Sequence, residues 1–154
     1  MNKDGGREAG DLVSNFGDSE NSDNSQNSRN SRNDRDKKRR DLKKRLKEYA
    51  LRIIRLYESL PKTGAVHVIT HQLLRSGTSP GAQYAESCRA KSNADFISKI
   101  EGVLQELEES LYWLELLIEG GFVTEKKLKP LCVETNELIS IFVTIVLKAK
   151  SRKN

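Results

Sequence analysis

Gly77-Thr-Ser-Pro-Gly81 spells Gly-x-Ser-x-Gly, the pattern that lifts a nucleophilic serine onto a sharp turn between a buried strand and a helix in α/β-hydrolases. That chemistry needs an acid and then a histidine later in the chain. Here no histidine follows His71, and the pentapeptide interrupts a helical pattern, so Ser79 is read as a capping residue at a helix kink. His67 and His71 stand four apart, which would turn both imidazoles toward one metal ion if the segment is helical. A closed zinc site needs two further ligands and a catalytic one at least a third. Cys88, Cys132 and Glu86 are conceivable donors that no spacing recommends. Gly64 and Val68 stand three before the histidines, where a di-iron bundle would carry glutamate. No metal set, no cofactor and no catalytic residue is therefore assigned. Cys88 and Cys132 are read as small core fillers, since free cysteine is among the most buried residue types. Arg89, beside Cys88, would point away from it on a helix and would not activate the thiol.

The densest chemistry in the chain is positive charge. Lys37, Lys38, Arg39, Arg40, Lys43, Lys44, Arg45 and Lys47 stand between residues 37 and 47 with Asp41 as the single acid. On a helix they cover nearly the whole circumference for three turns. Repulsion at this spacing weakens a helix by ~0.2–0.5 kcal/mol per pair, which a bound polyanion would reverse. No aromatic interleaves with the cations and no known RNA- or DNA-reading module is present, so contact with nucleic acid would be directed at the backbone and weakly sequence-specific. The eight cations are the candidate nucleic-acid-binding residues. The net charge of +5 hides an asymmetry. Residues 1–36 carry 5 Lys or Arg against 8 Asp or Glu, and residues 37–154 carry 22 against 14, so the later part is the basic one. Glu101, Glu106, Glu108, Glu109, Glu115 and Glu119 offer the cations another use in ion pairing, at ~0–1 kcal/mol for each exposed pair.

These residues must be positioned by helices. Residues 1–36 hold five tandem triplets beginning at Asn21, Asn24, Asn27, Asn30 and Asn33, and have too few apolar groups to offset the ~1–2 kcal/mol per residue of backbone ordering, so a disordered low-complexity tail is expected there. Residues 37–154 are expected to form an all-α, antiparallel up-down four-helix bundle, with helices at about 37–60, 64–90, 93–119 and 125–150. Leu42, Leu46, Tyr49, Ile53, Leu56 or Tyr57, and Leu60 repeat at three and four along helix 1, and Pro61 stops it. Helix 2 carries Val66, Ile69, Leu73 and Leu74, then Ala82, Ala85 and Cys88, with a kink or short break at Thr78–Gly81 because Pro80 removes one backbone bond. Small residues flanking the kink would admit a neighbouring helix closely. Ser92 and Asp95 cap helix 3, whose seam is Ile97, Ile100, Leu104, Leu107, Leu111, Leu114 and Ile118, and Gly120-Gly121 end it. Helix 4 turns Leu128, Leu131, Thr135, Leu138, Phe142, Ile145 and Val146 inward, and Pro130 costs little if the regular helix begins around it. Short connections make neighbours antiparallel.

No apolar N-terminal leader is visible, and the longest apolar run, Ile139–Leu147, is half of what a membrane span needs. Two distant cysteines fit a reducing compartment. A cytoplasmic protein without membrane contact is expected.

Arg75-Ser-Gly-Thr-Ser79, Ala85-Glu-Ser87, Asp95-Phe-Ile-Ser-Lys99 and Tyr112-Trp-Leu114 follow one another in an order that resembles the bacterial four-helix-bundle proteins encoded in intervening sequences of 23S ribosomal RNA genes. The stretch is also similar to the accessory subunit of reverse transcriptases in diversity-generating retroelements. The resemblance covers about residues 40–150 and implies a non-enzymatic homo-oligomer, pentameric in the retroelement proteins, that binds RNA or DNA and works beside a reverse transcriptase or other nucleic-acid enzyme. Arg75, Ser76, Gly77, Thr78, Ala85, Glu86, Phe96 and Trp113 match its motif positions and are expected to shape packing, with Arg75 and Glu86 pairing within or between subunits. Of Tyr112 and Trp113, about 100° apart on a helix, at most one fits the intramolecular seam, and the other is an oligomer contact. The rival expectation is a protein–protein scaffold that binds no nucleic acid.

Overall fold

The computed structural model describes residues 20–152, which form four helices: α1 (Glu20–Ser59), α2 (Gly64–Ser87), α3 (Asn93–Glu119) and α4 (Glu125–Ser151). The chain divides into two units, Met1–Lys38 and Arg39–Asn154.

In the first unit α1 begins at Glu20, well before residue 37, where the composition placed its start. Residues 26–38 are all exposed, so the scarcity of apolar groups shows as a lack of burial, while helix is present from Glu20. Elongating an existing helix adds one hydrogen bond for each residue fixed, and Asn, Ser and Asp fall only ~0.5–0.7 kcal/mol below alanine in propensity. Local contacts add to this. Ser31 Oγ donates to the Asn27 carbonyl at 3.0 Å, Arg35 Nε donates to the Ser31 carbonyl at 3.2 Å, and Lys38 Nζ lies 2.8 Å from Asp34. The expected tail over residues 1–19 lies outside the described residues.

The second unit is an antiparallel up-down four-helix bundle. Gly77 of α2 faces Ile53 of α1 and Gly81 faces Leu46, the index rising on one helix as it falls on the other. The N-terminus of α3 meets the C-terminus of α4, where Asn93 Nδ2 donates to the Ala149 carbonyl at 3.0 Å. Leu46, Tyr49, Ile53 and Leu56 bury the three-four face of α1. On α3 the buried line is Ile97, Ile100, Val103, Leu107, Ser110, Leu114 and Leu117, so Leu104, Leu111 and Ile118 flank the seam they were expected to form. The second half of α2 turns Pro80, Tyr84 and Ser87 inward and leaves Ala82 exposed, and Tyr84 packs edge-on against Phe142 at 5.4 Å.

Pro80 does not break α2, so of the kink or break expected at Thr78–Gly81 the break is absent. Thr78 Oγ1 and Ser79 Oγ each donate back to the carbonyls of Leu74 and Arg75 at 2.6 Å, a bonding pattern that bends helices rather than ending them. Pro130 likewise sits inside α4, which starts at Glu125 with Thr124 as its cap. It deprives only the carbonyl of exposed Lys126, which water can serve. The caps of α3 form as expected: Ser92 Oγ accepts from Asp95 N at 3.1 Å, Asp95 accepts from Lys91 N at 3.0 Å, and Gly121 (φ +72°) follows the last turn while Phe122 N donates back to Leu117 O at 3.0 Å. α4 has length and hydropathy enough to cross a membrane, contrary to the expectation from its longest uninterrupted run. Its Leu128, Leu131, Leu138, Phe142 and Val146 are buried in the bundle, the other reason for a helix to be apolar.

A layer of hydroxyls crosses the core, one from each helix. Thr135 Oγ1 donates to Leu131 O at 2.7 Å, so the Tyr49 hydroxyl donates to Thr135 Oγ1 at 2.8 Å. Ser110 Oγ lies 2.9 Å from Ser76 Oγ and 2.8 Å from the Glu106 carbonyl. All four residues are buried.

Candidate nucleic-acid interface

α1 presents the eight cations, and the structure divides them. Lys37 and Lys38 belong to the first unit, are exposed, and Lys38 is paired with Asp34. Arg39, Arg40, Lys43, Lys44 and Lys47 are exposed on the second unit. Lys44 Nζ stands 3.9 Å from Glu48, a loose contact one turn on. Arg39, Arg40, Lys43 and Lys47 form no ion pair among the described residues.

Arg45 departs from the group. Its guanidinium grips Glu134 through Nε at 2.7 Å and Nη2 at 3.0 Å, and Glu137 through Nη2 at 2.5 Å. The side chain is 34% exposed, and the charge is spent tying α1 to α4. Hydrogen bonding to Glu134 raises the Arg45 pKa, and the same bonds hold the Glu134 carboxyl below its ordinary value. Arg45 is therefore removed from the predicted interface. The shallow groove beside it, about 400 Å³, is lined by Asp41, Lys44, Arg45, Glu48, Tyr49, Arg52 and Glu134, a mixture of signs that does not select anions.

Most of the other motif residues lie in the packing of the bundle. Ser76 is buried in the hydroxyl layer, and Gly77 lets α1 approach so closely that a Cβ there would stand 2.7 Å from Ile53 Cγ1. Phe96 and Trp113 pack against the core, Ala85 is half-buried, and Thr78 bonds within its own helix. Arg75 does not pair with Glu86, which is exposed. It reaches across to α3, where it meets Glu106 at 3.2 and 3.3 Å and also Glu109. The side of a helix that faces a neighbour's glutamates at i and i+3 wins over a partner eleven residues away on its own helix.

Ser79 lies inside α2 with its hydroxyl bonded to Arg75 O, and so is not the capping residue expected there. Cys88 and Cys132 are half-buried free thiols at the edge of the core, and burial pushes the Cys132 thiol up, away from reactivity. No group of three or more His, Cys, Asp or Glu that could hold a metal occurs among the described residues. Tyr112 is exposed and meets Trp113 edge-on at 4.9 Å.

Sequence reasoning missed the acids that claim Arg45 and Arg75. The available signal was a pair of acids at i and i+3, Glu134 with Glu137 and Glu106 with Glu109, each able to close on a single guanidinium.

A family model described as 23S rRNA-intervening sequence protein matches residues 38–144. A solved structure from Bacteroides thetaiotaomicron VPI-5482, a protein with unknown function from the S23 ribosomal protein family, is 36% identical, covering 68% of this chain and 96% of its own with a TM-score of 0.62. No functionally curated protein matches the chain.

Proposed function

The chain belongs to the 23S rRNA-intervening sequence protein family, and from that premise we propose that it is a non-enzymatic, homo-oligomeric bundle that binds RNA or other nucleic acid through the exposed cations of α1. It acts in the cytoplasm, as an accessory to a nucleic-acid enzyme. The observation that carries the reading is the exposure of Arg39, Arg40, Lys43 and Lys47 without acidic partners among the described residues, while Arg45 on the same helix is paired with Glu134 and Glu137. Cations retained without partners on a self-repelling helix suit a polyanion that neutralises them. The absence of aromatics from this face makes the contact one of phosphates and not of bases.

Self-association is supported by Val133, Val143 and Leu147, exposed on one outward face of α4, and by exposed Tyr112 on α3. The same apolar face supports the scaffold reading, in which a different protein docks there and no nucleic acid is bound. The two separate in one titration of generic RNA against the full chain at rising salt. Binding at low salt is expected, with log K falling linearly against log salt, and replacing Arg39, Arg40, Lys43 and Lys47 by glutamine flattens the slope by about 3 to 4. Binding absent at low salt, or indifferent to salt and to these residues, leaves the scaffold.

A further inference from the structure

We propose that His67 and His71 form a two-imidazole chelate for a divalent transition-metal ion of the copper, nickel or zinc class, at the corner where α1 hands over to α2. The two residues are one turn apart near the start of α2, and their ring centroids are 6.3 Å apart. A metal bound at ~2.0–2.1 Å by one nitrogen of each ring would hold cis centroids about 4.5–5 Å apart. Closing that difference brings the two rings together by about 1.3–1.8 Å, under about 1 Å of movement for each on a rigid helix, within the reach of ordinary rotamer adjustment.

His67 is half-buried, and its Nδ1 is buried without a hydrogen-bond partner. An imidazole nitrogen fixed in that state gives up little hydration when a ligand comes to the ring. His71 is exposed and free to close on it. The Tyr57 ring stands 6.2 Å from His67 and 6.5 Å from His71 and walls the site from the α1 side. Lys62 Nζ lies over that ring at 3.6 Å from its centroid, a cation–π contact that packs Tyr57 in place as a wall. Val68 and Gln72 complete a shallow pocket, and the Gln72 amide oxygen accepts from Arg75 Nε at 3.5 Å. With no third His, Cys, Asp or Glu converging there among the described residues, the remaining coordination positions belong to water, so the ion exchanges readily and is not a structural staple. Two nitrogens with open oxygen positions favour copper(II) over nickel(II) and zinc(II).

The test is calorimetric titration of the full chain with the chloride of each metal in a weakly coordinating buffer, beside proton NMR of the imidazoles. The chain has 2 histidines, so the spectrum is unambiguous. One ion per chain is expected, tightest for copper(II), with both imidazole signals broadened by a sub-stoichiometric amount of the paramagnetic ion. His71→Ala, an exposed change that leaves the bundle intact by circular dichroism, weakens binding by about tenfold or more because one arm of the chelate is gone. His67→Ala does the same. Affinity unchanged in His71→Ala would place the ion elsewhere, at the cysteines for example, and overturn the assignment. Failure of all three metals to bind, or broadening of one imidazole alone, would overturn it as well.

Discussion

Gly77 and Gly81 are four apart on α2 and both face α1, yet they have opposite tolerances. A Cβ on Gly77 would stand 2.7 Å from Ile53 Cγ1, on a side chain that is itself fully buried, whereas a Cβ on Gly81 would meet Leu46 Cβ at an ordinary 3.7 Å. Gly77→Ala should therefore cost about 1–3 kcal/mol through overpacking. Gly81→Ala should be neutral or stabilise by about 0.4–1 kcal/mol through a less flexible unfolded chain. Urea unfolding of the two variants checks the contrast, and equal midpoints would refute the close approach of α1 at Gly77. Tyr49 adds a pH dependence of its own. Burial first, opposed by its bond to Thr135, raises the phenol from its ordinary 10.0 to about 12. The folded-state pKa lies above the unfolded one, so this group's contribution is fully present below pH 10 and is lost as pH rises through about 12, some 2–3 kcal/mol in all. Tyr49→Phe should flatten the fall in stability between those limits, measured by denaturant midpoints at each pH. An unchanged profile would mean that the ring ionises without opening the core.

At the level of the helices, what the sequence disclosed and what it withheld have separable causes. Period alone disclosed the four helices, and the caps at Ser92 and Gly121 fixed both ends of α3, because apolar spacing and backbone conformation are local properties. Which side of each seam faces in depends on neighbours. Leu104 and Leu111 flank the core while Val103 and Ser110 occupy it, since Ser110 finds a hydroxyl on α2 that no inspection of α3 could supply. The candidate interface was legible to the same degree: the run of cations was plain, but Arg45 left it for Glu134 on a helix 89 positions away. The start of α1 is not legible in composition, which reports burial, because an exposed helix needs none. Asn30→Pro tests that part of α1. It should remove the circular dichroism signal of about one to two helical turns, because proline costs ~3 kcal/mol in a helix interior. The thermal midpoint should barely move, as no side chain from 26 to 38 is buried. An unaltered spectrum would show that residues near 30 contribute no helix in solution.

For the molecule as a whole, the cation run lies on α1 and an outward apolar face of Val133, Val143 and Leu147 lies on α4. Leu147 is 63% exposed, so a charge there leaves the core untouched. Leu147→Lys should lower the assembly mass seen by sedimentation while the unfolding free energy at high dilution stays within ~0.5 kcal/mol of the parent. A mass unchanged by that substitution, at every concentration, would remove α4 from the self-association surface. Family membership makes the shared frame plain, with a Bacteroides neighbour 36% identical over 68% of the chain. The hydroxyl layer has a consequence for how such frames change over time. Sliding any helix by one turn, about 5.4 Å, would pull its hydroxyl away from the one it meets and leave that partner without its interhelical bond. Tyr49, Ser76, Ser110 and Thr135 thus act as a four-part key: a helix borrowed from a related bundle fits only if it brings its own tooth at the same height, and hybrids that mix keys should be selected against however well their apolar seams match.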